Sequence, residues 1–146
     1  MYERILICTD GSALSQTAEH AGILLAAALD AEVVAYTVVP TYPHWNFESG
    51  VAMTPAEMDR LENERSDAAQ AIVDAVQDQA HKRDVKTVAA IGRGAVAESI
   101  IRVAKKYHCD LIVMASHGRK GIQRILLGSE TMDVLTHSHI PVLVLR

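Results

Sequence analysis

The stretch ILICTDGSALSQTAEHAGILLAAALDAEVVAYTVV, residues 5–39, decides the fold. Ile5 to Cys8 is a short apolar run stopped by Thr9-Asp10-Gly11-Ser12, the pattern of a strand buried on both faces that ends in a turn. Leu14, Ala18, Ala21, Leu25 and Ala28 then recur at helical spacing, which predicts a helix over 12–29 with one apolar stripe. A second apolar run, 33–39, is closed by Pro40 and predicts a second buried strand. Two near-continuous apolar strands joined by an amphipathic helix make a crossover unit, and such units build parallel sheets with right-handed connections.

Outward from this unit the same alternation continues. Residues 41–53, with Tyr42, Pro43, His44 and Trp45, have no period and are expected to form a loop. Thr54-Pro55-Ala56-Glu57 has the form of a capping box with proline at the first helical position. A long helix to about residue 83 should follow, with Met58, Leu61, Ala68, Ile72 and Val76 inward. Strands are expected over 86–91, 111–115 and 142–145. Helices are expected over 95–107, on Val96, Ile100, Val103 and Tyr107, and over 129–137. The expected architecture is α/β: a five-stranded parallel sheet with helices on both faces, doubly wound and Rossmann-like, in one domain over residues 1–146.

Composition narrows the function. A net charge of −4 offers no basic footprint for nucleic acid, so DNA and RNA are not expected as partners. Cys8 and Cys109 are too few and too distant for a disulfide framework or a thiolate metal site, and both lie in or beside apolar runs, as buried free thiols do. The start of the chain lacks a signal-peptide core, and no apolar stretch reaches the roughly 20 residues that a membrane helix needs. A cytoplasmic location away from membranes is therefore expected.

In a doubly wound sheet, ligands sit beyond the carboxyl ends of the strands, where the strand order reverses. That rule selects the segments 9–12, 38–42, 92–94 and 114–131. The last is the richest: Gly118 and Gly128 allow close backbone approach, and the amides of Ser129, Glu130 and Thr131 would open a helix, where an anion is favoured. The hydroxyls of Ser129 and Thr131 add donors, and Arg119 and Lys120 could screen phosphate charge.

Four rival readings fall away. Gly92-Arg93-Gly94-Ala95-Val96-Ala97 matches the dinucleotide fingerprint, yet Asp110 precedes the next strand instead of ending it, so the ribose-binding acid is missing. There is no P-loop. His137-Ser138-His139 has no carboxylate or thiolate at ligand spacing to complete a metal site, and no serine or cysteine nucleophile has a recognisable base partner.

The segments ILICTDGS, IGRGAVAESIIRVAKKYHCDLIVMASHG and ILLGSETMDVLTHSHIPVLVLR resemble the universal stress protein family along most of the chain. The family's nucleotide motif is glycine, two residues, glycine, nine residues, glycine, then serine or threonine. Gly118, Gly128 and Ser129 match it, and Ala115 replaces its first glycine. The resemblance implies that Asp10 approaches the ribose, that Val38 meets the adenine through its backbone, and that Cys8 and Thr9 flank the pocket. It further implies that Met114, Ala115 and Gly118 line the nucleotide with Arg119 nearby, that Gly128, Ser129, Glu130 and Thr131 hold phosphates, and that Gly92 touches the base. The expected function is that of a stress-response sensor or signalling module binding ATP or AMP, with magnesium or manganese entering only with the phosphates. Slow ATP hydrolysis or phosphotransfer is the alternative, and a nucleotide-free dimeric interaction module is a further one. A homodimer through the C-terminal edge strand is expected from that strand's apolar, uncharged sequence and from the resemblance.

Overall fold

The structure, a computed structural model, describes residues 1–39, 41, 45–46, 51–118 and 127–146. Its elements follow in the order β1 (Arg4–Cys8), α1 (Ala13–Leu29), β2 (Glu32–Val39), β3 (Trp45–Asn46), β4 (Val51–Ala52), α2 (Pro55–His81), β5 (Thr87–Arg93), α3 (Val96–Lys106), β6 (Leu111–Ala115), α4 (Ser129–His137) and β7 (Val142–Leu145). Five strands form one parallel sheet in the order β5-β2-β1-β6-β7. The expected fold class is the observed one.

Period-two alternation along the strands divides the core into two layers. Ile5, Ile7, Val33, Ala35, Leu111, Val113 and Ala115 pack with α1 and α2. Leu6, Cys8, Val34, Tyr36, Ile112 and Met114 pack with α3 and α4. Both layers are needed because every central strand is apolar on both faces.

Several local expectations need correction. The segment 41–53 contains a two-residue antiparallel pairing, with Trp45 opposite Ala52 and Asn46 opposite Val51, where an unbroken loop was expected. On α1 the buried stripe is Ser15, Ala18, Glu19, Gly22, Ile23 and Ala26, with Leu14 and Leu25 only partly covered and Ala28 exposed. At Ala18, Gly22 and Ala26 the helix turns small residues to the sheet: a β-carbon on Gly22 would lie 2.8 Å from the Ile7 side chain. On α2 the buried residues are Ala69, Val73, Val76 and Ala80: Val76 faces inward as expected, Met58, Leu61 and Ile72 are half-buried, and Ala68 is exposed with its neighbour Ala69 buried instead. Alanines on all sides of both helices blur the stripe that apolar spacing can reveal.

Strand β5 runs on to Arg93, past the expected end at Ile91, because Gly92 pairs with Val38 and Arg93 with Val39. Glycine is required there. A β-carbon on Gly92 would lie 1.7 Å from the hydroxyl of Tyr36, which crosses over that backbone to hydrogen-bond Ser99. The capping box of α2 is present as expected, with Thr54 Oγ1 accepting from Glu57 N–H at 3.2 Å and Glu57 Oε2 accepting from Thr54 N–H at 2.7 Å.

Candidate functional site

From β1 the chain winds through β2 to β5 on one side, then returns to place β6 and β7 on the other. The strand order therefore reverses between β1 and β6, the position at which doubly wound sheets leave a crevice beyond the carboxyl ends of their strands. The segments after these two strands meet there.

After β1, Gly11 takes a φ of 76°, a left-handed turn that glycine adopts without strain. Ser12 caps α1 by accepting from Ser15 N–H, and Asp10 Oδ1 accepts from Ser12 N–H at 2.9 Å and from Ser15 Oγ at 2.7 Å. Asp10 thus braces the loop as well as facing the crevice. Thr9 Oγ1 accepts from Gly11 N–H at 3.0 Å and donates to Glu19 Oε1, a carboxyl carried by the second turn of α1. Burial, together with the charge of Asp10, holds the Glu19 carboxyl above the usual carboxylate range, although the Thr9 hydroxyl partly offsets this.

After β6, Gly118 lies against Asp10. A β-carbon on Gly118 would be 2.7 Å from Asp10 Oδ2, so the close approach of the two loops depends on that glycine. Gly128 N–H donates to Ser116 C=O at 2.7 Å, and Thr131 Oγ1 donates to the carbonyls of Ala115 at 3.0 Å and Ser116 at 3.3 Å. These bonds tie the start of α4 to the end of β6. Gly128 is the N-cap and, being glycine, offers no side-chain acceptor to the first-turn amides, for which no side-chain cap is present among the described residues. Glu130 stands in that first turn. Ser116 Oγ and His117 Nδ1 lie 2.9 Å apart beside the same loop.

The site residues expected from sequence fall into three groups. Thr9, Asp10, Gly118, Gly128, Ser129, Glu130 and Thr131 converge on the ends of β1 and β6. Val38 is half-buried on β2, directly beside β1. Others point elsewhere: the Cys8 and Met114 side chains lie in the layer beneath α3 and α4, the Ala115 methyl lies in the opposite layer, and Gly92 sits on the edge strand beneath Tyr36. The Thr131 hydroxyl proton goes to backbone carbonyls, so the hydroxyl is not the free donor expected from the sequence. Arg119 lies outside the described residues. Burial pushes the Cys8 thiol far above its ordinary range and that of Cys109 up to about 11, so neither is poised as a nucleophile.

Sequence reasoning missed Ser15, Glu19, Tyr36 and Ser99. The first two carried a readable signal: polar residues four apart, at inward positions of an alanine-rich helix, directly after a capping turn.

The whole chain is similar to known proteins. The model of the universal stress protein family matches residues 1–146. The universal stress protein MJ0531 of Methanocaldococcus jannaschii is 34% identical over 148 aligned positions, covering 100% of this chain and 83% of its own. Among solved structures, the hypothetical protein MJ0577 superposes with a TM-score of 0.80 at 28% identity over 99% of this chain and 96% of that one. A universal stress protein in complex with cAMP superposes with a TM-score of 0.72 at 25% identity, over 99% and 97% of the two chains.

Proposed function

The chain belongs to the universal stress protein family, and from that premise we propose that it binds an adenine nucleotide, ATP or AMP, in the crevice between β1 and β6 and serves as a sensor or signalling module. One observation carries this reading: Asp10 and Gly118 meet at the reversal of strand order, beside the α4 N-terminus, whose N-cap is the side-chain-less Gly128. The cAMP complex of a relative with the same fold supports an adenine nucleotide as the class of ligand.

The residues fit such a group by their chemistry. Asp10 offers a carboxylate oxygen for ribose hydroxyls, the Val38 backbone lies beside the end of β1 for the base, and the amides of Ser129, Glu130 and Thr131 supply donors and the positive end of the helix dipole to phosphate. In this reading magnesium or manganese would arrive with the phosphates. A binding role needs no nucleophile or base, and the sensor reading uses none.

A second copy of the chain is the proposed partner. Strand β7 is an outer strand, Leu143 on it is 37% exposed, and Met132 and Leu135 of the neighbouring α4 are exposed as well. An apolar edge of this kind favours pairing with its own copy. Among the described residues no helix is long and apolar enough to cross a membrane.

The test is mass spectrometry of whatever small molecule leaves the purified protein on denaturation, followed by calorimetric titration with ATP, AMP and cAMP. An adenine nucleotide should be released or bound, and Gly118→Val, which would push methyl groups into Asp10, should abolish binding while the protein still folds. Full affinity in Gly118→Val would overturn the placement of the site, and no affinity for any adenine nucleotide in the parent would overturn the function.

A further inference from the structure

Ser15 and Glu19 lie one helical turn apart on the buried face of α1, and each holds one of the two residues that follow β1. Ser15 Oγ donates to Asp10 Oδ1 at 2.7 Å, and Glu19 Oε1 accepts the hydroxyl proton of Thr9. Thr9 is 6% exposed and Glu19 3%. A threonine hydroxyl has a single proton and two lone pairs. With the proton committed to Glu19, a lone pair is left to face Gly11 N–H, which donates to it at 3.0 Å. That bond fixes the peptide joining Asp10 to Gly11, and so the backbone from which the Asp10 side chain projects.

We propose that Glu19 is a positioning residue of the nucleotide site: by accepting the Thr9 hydroxyl it holds the Gly11 amide and thereby aims the Asp10 carboxylate across the crevice toward Gly118. The proposal rests on the reading of Asp10 as a nucleotide ligand. Its chemistry is specific. A carboxylate or an amide oxygen can accept from Thr9, whereas a leucine of similar volume fills the same space and accepts nothing. An apolar residue at this depth would also escape the desolvation that a carboxyl suffers, so packing alone gives no reason for a glutamate here.

The experiment compares the parent, Glu19→Gln, Glu19→Leu, Thr9→Val and the Thr9→Val/Glu19→Leu pair, titrating each with ATP well below its melting temperature and following amide exchange of Gly11 by NMR. Glu19→Gln should retain ATP affinity within about twofold and keep Gly11 protected, because the acceptor is preserved. Glu19→Leu and Thr9→Val should each weaken ATP by about tenfold and speed Gly11 exchange, and the pair should lose no more than either alone, as members of one relay do. Should Glu19→Leu not fold, Glu19→Gln against Thr9→Val carries the same contrast.

A parent that binds ATP while Gly11 exchange and affinity ignore Thr9→Val and Glu19→Leu overturns the relay alone. So does a double variant whose losses add. A parent that binds no ATP overturns the nucleotide reading, whatever Gly11 does.

Discussion

Ala115 occupies the place of the first glycine of the nucleotide motif with an ordinary extended backbone, at the end of β6. Its methyl packs in the layer that α1 and α2 cover and is 6% exposed. It therefore stands under the strand and not over the crevice. Ala115→Gly should leave ATP affinity unchanged within about twofold and lower stability by about 1–2 kcal/mol, from the lost methyl packing and the added backbone freedom. Thermal melts and titrations of the same two proteins check both halves. Glu19 gives a prediction of opposite sign. Burial raises its pKa in the folded chain, so the folded form binds that proton more tightly than the unfolded one. The stability this lends is complete below the ordinary carboxylate pKa and is lost as pH rises through the raised value. Glu19→Gln should consequently be more stable than the parent at pH 7, with the gain vanishing on acidification to about pH 4. Melting temperatures across that range decide it, and a constant difference would contradict the assigned cause.

At the scale of elements, the helix ends differ in a way that sequence could suggest but not settle. α2 begins with a reciprocal capping box, in which the backbone amide and hydroxyl of Thr54 hold the Glu57 carboxyl below its ordinary range. α4 begins with Gly128, an N-cap with no side chain to accept from the first turn. Its first-turn acid, Glu130, is exposed and complements the helix dipole in the free protein. A nucleotide phosphate would compete for the same positive end. Glu130→Gln keeps every backbone amide and removes the competing charge, so it should tighten ATP by about two- to threefold, roughly 0.5 kcal/mol, with a smaller gain for AMP. Raising the salt to about 1 M should erase the difference, since exposed charges are screened at that ionic strength.

For the whole molecule, β7 is an edge, and the proposed pairing with a second copy places Leu143 at its centre. Leu143→Lys should turn a dimer into a monomer at tens of micromolar in sedimentation experiments, because an edge lysine opposes strand addition. A monomeric parent at that concentration would remove the proposal. By itself the sequence determined the sheet and most of its strands, because a strand covered on both faces is apolar without interruption and needs no partner to be recognised: 5–8, 33–39 and 111–115 match β1, β2 and β6 within one residue at either end. It also determined the strand ends at which a ligand is expected. Helix faces were less legible, since alanines on every side of α1 and α2 do not say which of them touch the sheet. Only the tertiary structure decided that Gly118 lies on Asp10, that Gly92 makes room for Tyr36, and that Glu19 grips Thr9. These contacts join residues of different elements across the sheet and its covering helices, and spacing along one chain carries no distance between such residues until the sheet order is set.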